Sequence, residues 1–264
     1  WKAIEKLGSS DYDKWWKQVL APKNDTLFVV GDIDLAETEK LVTEMWSKWR
    51  LDNPGEPLPG YKPMNTLPSR QIALVDDQDA TQANIQVGCH LKPKEIETDA
   101  AKDVLSAMLS QDLFVAIRKR AGASYGVYAF DFALGDTSLM VVGGAIQNDK
   151  TVPGLRTILE RMGELRAGKA EPAKLTQTKW SLAAATRTNN QSNAELLSRL
   201  VEMNAAKRPL SSLTSYPARL AAVTSSDIAA ILEPCAGKEI ITVTGPAKAL
   251  RAGLDGLKIP VEDV

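Results

Sequence analysis

Residues 111–132 read QDLFVAIRKRAGASYGVYAFDF, and the change of periodicity inside this stretch decides the fold. Leu113, Phe114 and Ile117 follow helical spacing, with Asp112 placed to cap the helix and Gly122 to stop it. From Ser124 the period becomes two. Tyr125, Val127, Ala129 and Asp131 fall on one face of a predicted strand, and Gly126, Tyr128, Phe130 and Phe132 on the other. A helix, a glycine stop and a strand bring Arg118, in the last helical turn, towards Tyr125 at the strand opening. Two strong hydrogen-bond donors then converge on one point. Arg120 is the competing arginine, readable as part of a simple charged helix end.

Working outward, Thr137 to Gln147 forms the second arm of a hairpin across Leu134-Gly135-Asp136, and Gly143-Gly144 inside it leave the backbone approachable. Upstream, Gln71 to Val75 and Ala83 to Leu91 read as strands, and a helix over 98–110 buries Ala101, Val104, Leu105 and Met108. Downstream, residues 150–232 are helical, broken near Gly168, Glu171-Pro172, Asn189-Asn190 and Pro209. Glu239 to Thr244 is a closing strand, followed by Gly245-Pro246 and a short helix.

The first 52 residues repeat this ending. Residues 10–20 predict an amphipathic helix with Tyr12, Trp15, Trp16, Val19 and Leu20 on a core stripe. Thr26 to Val30 reads as a buried strand, and a helix from Asp34, with Glu37 as capping partner, has Leu41, Val42, Met45, Trp46 and Trp49 as its apolar face. Ser9-Ser10-Asp11, helix, Pro22, LFVVGD resembles Ser225-Ser226-Asp227, helix, Pro234, ITVTGP, with offsets of 212 to 216 residues. A repeat of that length is a duplicated domain, since each copy is large enough for its own core. Between them, Pro54, Pro57, Pro59, Pro63 and Pro68 with Gly55 and Gly60 cannot continue a helix or a central strand. The expected layout is therefore 1–52 as the C-terminal part of a preceding α+β copy, 53–68 as a linker and 69–264 as a complete α+β domain.

Composition bounds the function. The 264 residues are 44% hydrophobic, enough for one large or two moderate cores, and 32 basic against 33 acidic residues leave a net charge of −1. That balance argues against a nucleic-acid binder, and no apolar run approaches the roughly 20 residues of a membrane span. The chain opens on Trp1 without a signal segment, which reads as a processed or excised piece of a longer product, and its N-terminus does not give the compartment. Cys89 and Cys235 are far apart and in no CxxC pattern, so they read as buried free thiols.

In order and spacing, LFVVGDID at 27–34, LSAMLSQDLFVAIRKR at 105–120, AGASYGVYAF at 121–130 and VTSSDIAAILEP…ITVTGP at 223–246 resemble the insulinase/pitrilysin zinc peptidases. That family includes mitochondrial processing peptidases and the core subunits of the respiratory cytochrome bc complex. The resemblance implies an α+β fold of tandem duplicated domains, each an antiparallel sheet with helices against it, forming half of a clamshell around a peptide.

The family's catalytic half carries His-x-x-Glu-His, two histidines one turn apart binding zinc and a Glu activating water. This chain has one histidine, His90, predicted on a strand, so the resemblance implies the half without the zinc motif. It expects no cofactor here, zinc in the partner half, and no hydrolysis by this chain alone. The partners implied are that zinc-motif half, in the same polypeptide or a separate subunit, and an unstructured peptide held as an added β-strand. The family's Arg and Tyr that reach the substrate carbonyl match Arg118 and Tyr125, and Gly143 and Gly144 are candidates to line the channel. The competing expectation is an inert structural module of the same fold, of the core-subunit kind. For compartment, the resemblance leans to the bacterial periplasm or an exported location.

Overall fold

The computed structural model describes residues 2–19, 25–46, 67–92, 95–134, 137–189 and 191–264. In chain order these form α1 (Ser9–Val19), α2 (Leu35–Trp46), β1 (Gln71–Asp76), β2 (Gln82–Leu91) and α3 (Ile96–Leu113), which runs into a π-helical turn, Phe114–Arg120. The hairpin β3 (Tyr128–Leu134) and β4 (Thr137–Gln147) follows, then α4 (Thr151–Arg166), α5 (Pro172–Asn189), α6 (Asn193–Ala205), α7 (Ser211–Ala222) and α8 (Ser225–Leu232). The chain ends with β5 (Ile240–Gly245), α9 (Ala247–Asp255) and β6 (Val261–Asp263). Two compact units result, one of residues 1–60 with 187–210, the other of 61–186 with 211–264.

The second unit holds a sheet of order β3-β4-β2-β5-β1-β6. Alternation along β2 buries Ile85, Val87, Cys89 and Leu91 on one face. Ile72, Leu74, Val142, Ile241 and Val243 continue that face, and Val104, Leu105 and Leu109 of α3 with Leu155 and Ile158 of α4 join them in one core. Removing this much apolar surface from water, at about 25 cal/mol per Å², is the main favourable term in folding.

The fold class is α+β, as expected, but the sheet is mixed rather than antiparallel. β4 runs antiparallel to β2 and β3, and β5 antiparallel to β2, whereas β5 and β6 both run parallel to β1. The chain between β1 and β5 passes through β2, β3, β4 and the helices α3 to α8, which gives ample length for the crossover that parallel neighbours require. β6, only three residues long, gives no periodic signal in the sequence.

Two expectations around α3 are corrected. No break separates residues 98–110 from the helix after them; one helix runs to Leu113, because nothing at 109–113 interrupts helical spacing. Asp112 therefore lies inside α3 and accepts from Lys174 Nζ of α5 at 2.8 Å rather than capping a helix start. This bond, ahead of the nearby Glu171, raises the Lys174 pKa. The contribution is thus present below the ordinary lysine pKa and lost as pH rises through the raised one. Lys174 is 46% exposed, so we expect Lys174→Ala to cost under about 1 kcal/mol in urea unfolding at neutral pH, and nothing at strongly alkaline pH.

In the first unit the helices form where expected, and Asp34 Oδ1 accepts from the Glu37 N–H at 2.9 Å. The burial does not. Residues 25–30 form no strand, Leu27 and Val29 are exposed, and so are Leu41, Met45 and Trp46. Tyr12, Trp15 and Trp16, expected in a core, are exposed and pack on one another with ring centroids 5.8 to 6.4 Å apart. The described residues of this unit include no sheet, and among its apolar side chains Met203 of α6 is buried. Trp49, the end of the first helical stripe and most of the proposed linker lie outside the described residues.

Two devices tie β5 to its neighbours. Glu239, at the entry of β5, is buried and accepts two bonds of 2.8 Å from Arg70, with Arg166 of α4 at 3.7 Å. A bidentate guanidinium suits the carboxylate, and the second arginine offsets its desolvation. Both arginines reach solvent, so we expect Glu239→Ala to lower unfolding free energy by about 2 kcal/mol in denaturant titration. An unchanged midpoint would mean the cluster contributes nothing.

The second device corrects the reading of free thiols. Cys89 of β2 and Cys235, in the turn after α8, form a disulfide with their Cα atoms 5.4 Å apart. They are 146 residues apart in sequence, but the turn leads into β5, which pairs with β2, and this places the two within bridging distance.

Candidate functional site

The end of α3 forms the site from one side. The ladder widens at the π turn, with the Ala121 N–H bonding the Ala116 carbonyl five residues back. Such turns recur at functional sites. Gly122, at φ +61°, then reverses the chain, and its N–H returns to the Arg118 carbonyl at 3.1 Å. A side chain at that φ would be strained, so the glycine stop read from sequence has its expected cause.

Tyr125 does not open a strand. Residues 121–127 form a loop and β3 begins at Tyr128, so the period of two sets in three residues later than expected. The Ser124 hydroxyl organises this loop. Its one proton is shared between the carbonyls of Ala145 and Gly126, and its oxygen accepts from the Gly126 N–H. Local bonding of this kind competes with a strand ladder and holds the chain in a turn.

Arg118 and Tyr125 do come together. Nη1 of Arg118 donates to the Tyr125 carbonyl oxygen at 2.7 Å. The guanidinium carbon lies 5.2 Å from the centre of the Phe114 ring and 5.9 Å from that of Tyr125. The cation is therefore held by two aromatic rings and one main-chain acceptor, each cation–ring contact worth about 0.5–1 kcal/mol at an exposed site. Among the described residues its other N–H groups make no hydrogen bond. Tyr125 is 82% exposed, so its phenol also faces outward. Arg120 is exposed and makes no hydrogen bond to this loop among the described residues.

Gly143 and Gly144 lie behind the loop. A Cβ on Gly143 would collide with the Ile85 carbonyl of β2, and one on Gly144 with the Gly126 carbonyl, next to Tyr125. The close approach that glycine permits here is made by the chain's own backbone. We expect Gly144→Ala to cost about 1–3 kcal/mol and to disturb the Tyr125 loop, read as a lowered melting temperature with shifted Tyr125 resonances.

Three contributors escaped the sequence reading. Phe114 stands four residues before Arg118, the spacing at which helix neighbours meet, and that spacing was the available signal. Ser124 carries the loop's hydrogen bonds. Tyr128 lies over Gly126, where an added Cβ would strike its hydroxyl. A separate cavity of about 450 Å³, lined by Ala101, Lys102, Arg219, Val223 and Ile231 among others, shares no residue with this site.

Comparison with known proteins decides the family, because residues 8–182 match the model described as the peptidase M16 inactive domain. The chain belongs to the M16 peptidase family. Among curated protein sequences none matches it. Solved structures share its fold at low identity. A protease from Helicobacter pylori superposes with a TM-score of 0.81 at 16% identity, over 91% of this chain and 60% of that one. An M16 inactive domain from Pseudomonas fluorescens gives 0.79 at 18% identity, over 93% and 59%. The periplasmic protease PqqL from Escherichia coli gives 0.70 at 18% identity, over 92% of this chain and 28% of PqqL. The chain thus spans about 60% of the first two and less of PqqL.

Among the described residues no three His, Cys, Asp or Glu side chains gather as a metal cluster, and His90 stands on β2 with no second histidine in the chain. A zinc site needs three or four such ligands, so these residues do not fit the family's metal.

Proposed function

We propose that this M16 chain is the non-catalytic, substrate-binding half of a zinc endopeptidase, with Arg118 and Tyr125 receiving the carbonyl of the peptide bond to be cut. The observation that carries the reading is the held guanidinium, bonded to the Tyr125 carbonyl and flanked by two rings, beside a phenol that is 82% exposed. Apart from the Nη1 bond that holds it, the guanidinium has N–H groups left to donate to whatever approaches, and the exposed phenol has its O–H. When water adds to a peptide carbonyl its oxygen gains negative charge, and donors fixed in advance stabilise that charge more than the neutral carbonyl. The general base and the metal belong to a partner half, in the same polypeptide or a separate subunit.

The layout that goes with this reading is a preceding domain copy ending at about residue 52, a linker over 53–68 and a complete domain over 69–264. The Cys89–Cys235 disulfide supports an oxidising location such as the periplasm or the cell exterior. Gly143 and Gly144 serve by letting the backbone behind the Tyr125 loop pack closely.

The test is hydrolysis of unstructured peptides with zinc, by this chain alone and mixed with the zinc-motif half from the same genome. Activity only in the mixture, lost on Arg118→Ala, supports a complementing half. A stable but inactive complex supports the inert module instead.

A further inference from the structure

Ser110 of α3 stands eight residues before Arg118, and its hydroxyl bonds both main-chain groups of a single residue in β3. It donates to the Ala129 carbonyl at 3.1 Å and accepts from the Ala129 N–H at 2.8 Å. Ala129 stands opposite Val142 of β4, yet its polar groups are turned to the helix and away from that ladder. Outward and inward groups alternate along an antiparallel strand, so the outward set of β3 belongs to Ala129, Asp131 and Ala133. Among the described residues β3 pairs only with β4, which makes this one of the two edges of the sheet. The outward pair nearest Tyr125 in the chain is Ala129's, and it is already taken.

We infer that Ser110 closes the edge of β3 beside the Arg118–Tyr125 pair, so that this half meets a peptide with side chains and not by strand addition. The inference rests on the carbonyl-binding reading of the pair. An added strand needs consecutive outward N–H and C=O groups, and the first it would reach is bonded to a hydroxyl on the same chain. What the edge offers instead is the Arg118 fork, the Tyr125 phenol and the half-exposed rings of Tyr128 and Phe130, 59% and 50% accessible. Such a surface takes a carbonyl oxygen flanked by apolar peptide side chains. Ser110 has a second effect. It fastens the helix that continues into Arg118 to the strand that follows Tyr125, which makes it a positioning residue for the pair.

Amide hydrogen exchange by NMR tests this on the full chain as wild type, Ser110→Ala and Ser110→Thr, with and without excess of an alternating Val/Thr peptide as a strand probe. The Ala129 amide is expected to be protected in wild type and in Ser110→Thr, and to exchange about tenfold faster in Ser110→Ala. The probe is expected to add no protection at Ala129 or Asp131 of wild type. Equal Ala129 rates in wild type and Ser110→Ala, or wild-type protection gained from the probe, overturn the closed edge. In the reconstituted enzyme, Ser110→Ala is expected to lower kcat about tenfold at similar KM, with recovery in Ser110→Thr. An Ala129 amide still protected by Ser110 while Arg118→Ala leaves turnover unchanged removes the carbonyl-binding reading and keeps the closed edge.

Discussion

Arg118→Ala is expected to lower kcat/KM of the reconstituted peptidase by about 10²–10³, the cost of one donor to a developing oxyanion, about 3–4 kcal/mol. The loss falls on kcat more than KM, because the bond strengthens as charge develops. Tyr125→Phe removes one hydroxyl and keeps the ring against the guanidinium 5.9 Å away, so it isolates the phenol's donation, at about tenfold or more. The fold survives both changes: the Tyr125 side chain is mostly exposed, and Arg118 buries no charge. Unchanged circular dichroism with lost turnover is the expected pair of readings. Wild-type kinetics in both variants would end the assignment of the carbonyl to this pair. Phe114→Leu then tells whether the stack matters, because it leaves both donors present but removes one face of the guanidinium's cradle.

Opening the Cys89–Cys235 bond lowers unfolding free energy by about 2–5 kcal/mol, the upper value being the chain-entropy limit for so long a loop. The bridge spans 146 residues and joins β2 to the turn that introduces β5, so it restrains most of the second unit in the unfolded ensemble. Urea unfolding with and without reductant, compared with a Cys89→Ala/Cys235→Ala variant, reads the difference. Both sulfurs are buried, at 1% and 2% exposure, so reduction is expected only where the native state opens. Alkylation of two thiols in unreduced, denatured protein would show that no bond had formed and would withdraw the argument for an oxidising compartment.

Sequence periodicity made much of the second unit legible. The strands at 71–76 and 82–91, the hairpin over 128–147 and the helix breaks near 168, 190 and 209 all leave local signals that the structure reproduces. The Arg118–Tyr125 meeting was also readable, although its geometry was not. Alternation counted from Ser124 puts Tyr125 at a strand opening, but Ser124's own hydroxyl supplies bonds that a ladder would have made. The π turn was invisible for a similar reason, since a period of 3.6 cannot register one inserted residue. The cysteine pairing and the Ser110–Ala129 clamp are contacts between segments, and no local pattern encodes them. Trp15 and Trp16 failed in the opposite way: their stripe is clear, but burial depends on a partner surface that the described residues of that unit do not contain.

The position of β5 between β2 and β1 has a consequence in time. β1 and β2 are made early in the chain, yet they are not neighbours, and the strand that joins them arrives some 150 residues later, at Ile240–Gly245. Before that point Ile72, Leu74, Ile85 and Val87 belong to two apolar strands with an open edge between them, a state prone to wrong pairing. The helices over 151–232 must therefore be in place, or at least out of the way, when β5 enters. A sheet closed by its centre folds slowly and all at once, since loop closure is spent before the contacts that reward it. Truncation anywhere before residue 245 is thus expected to leave an aggregating chain rather than a smaller domain.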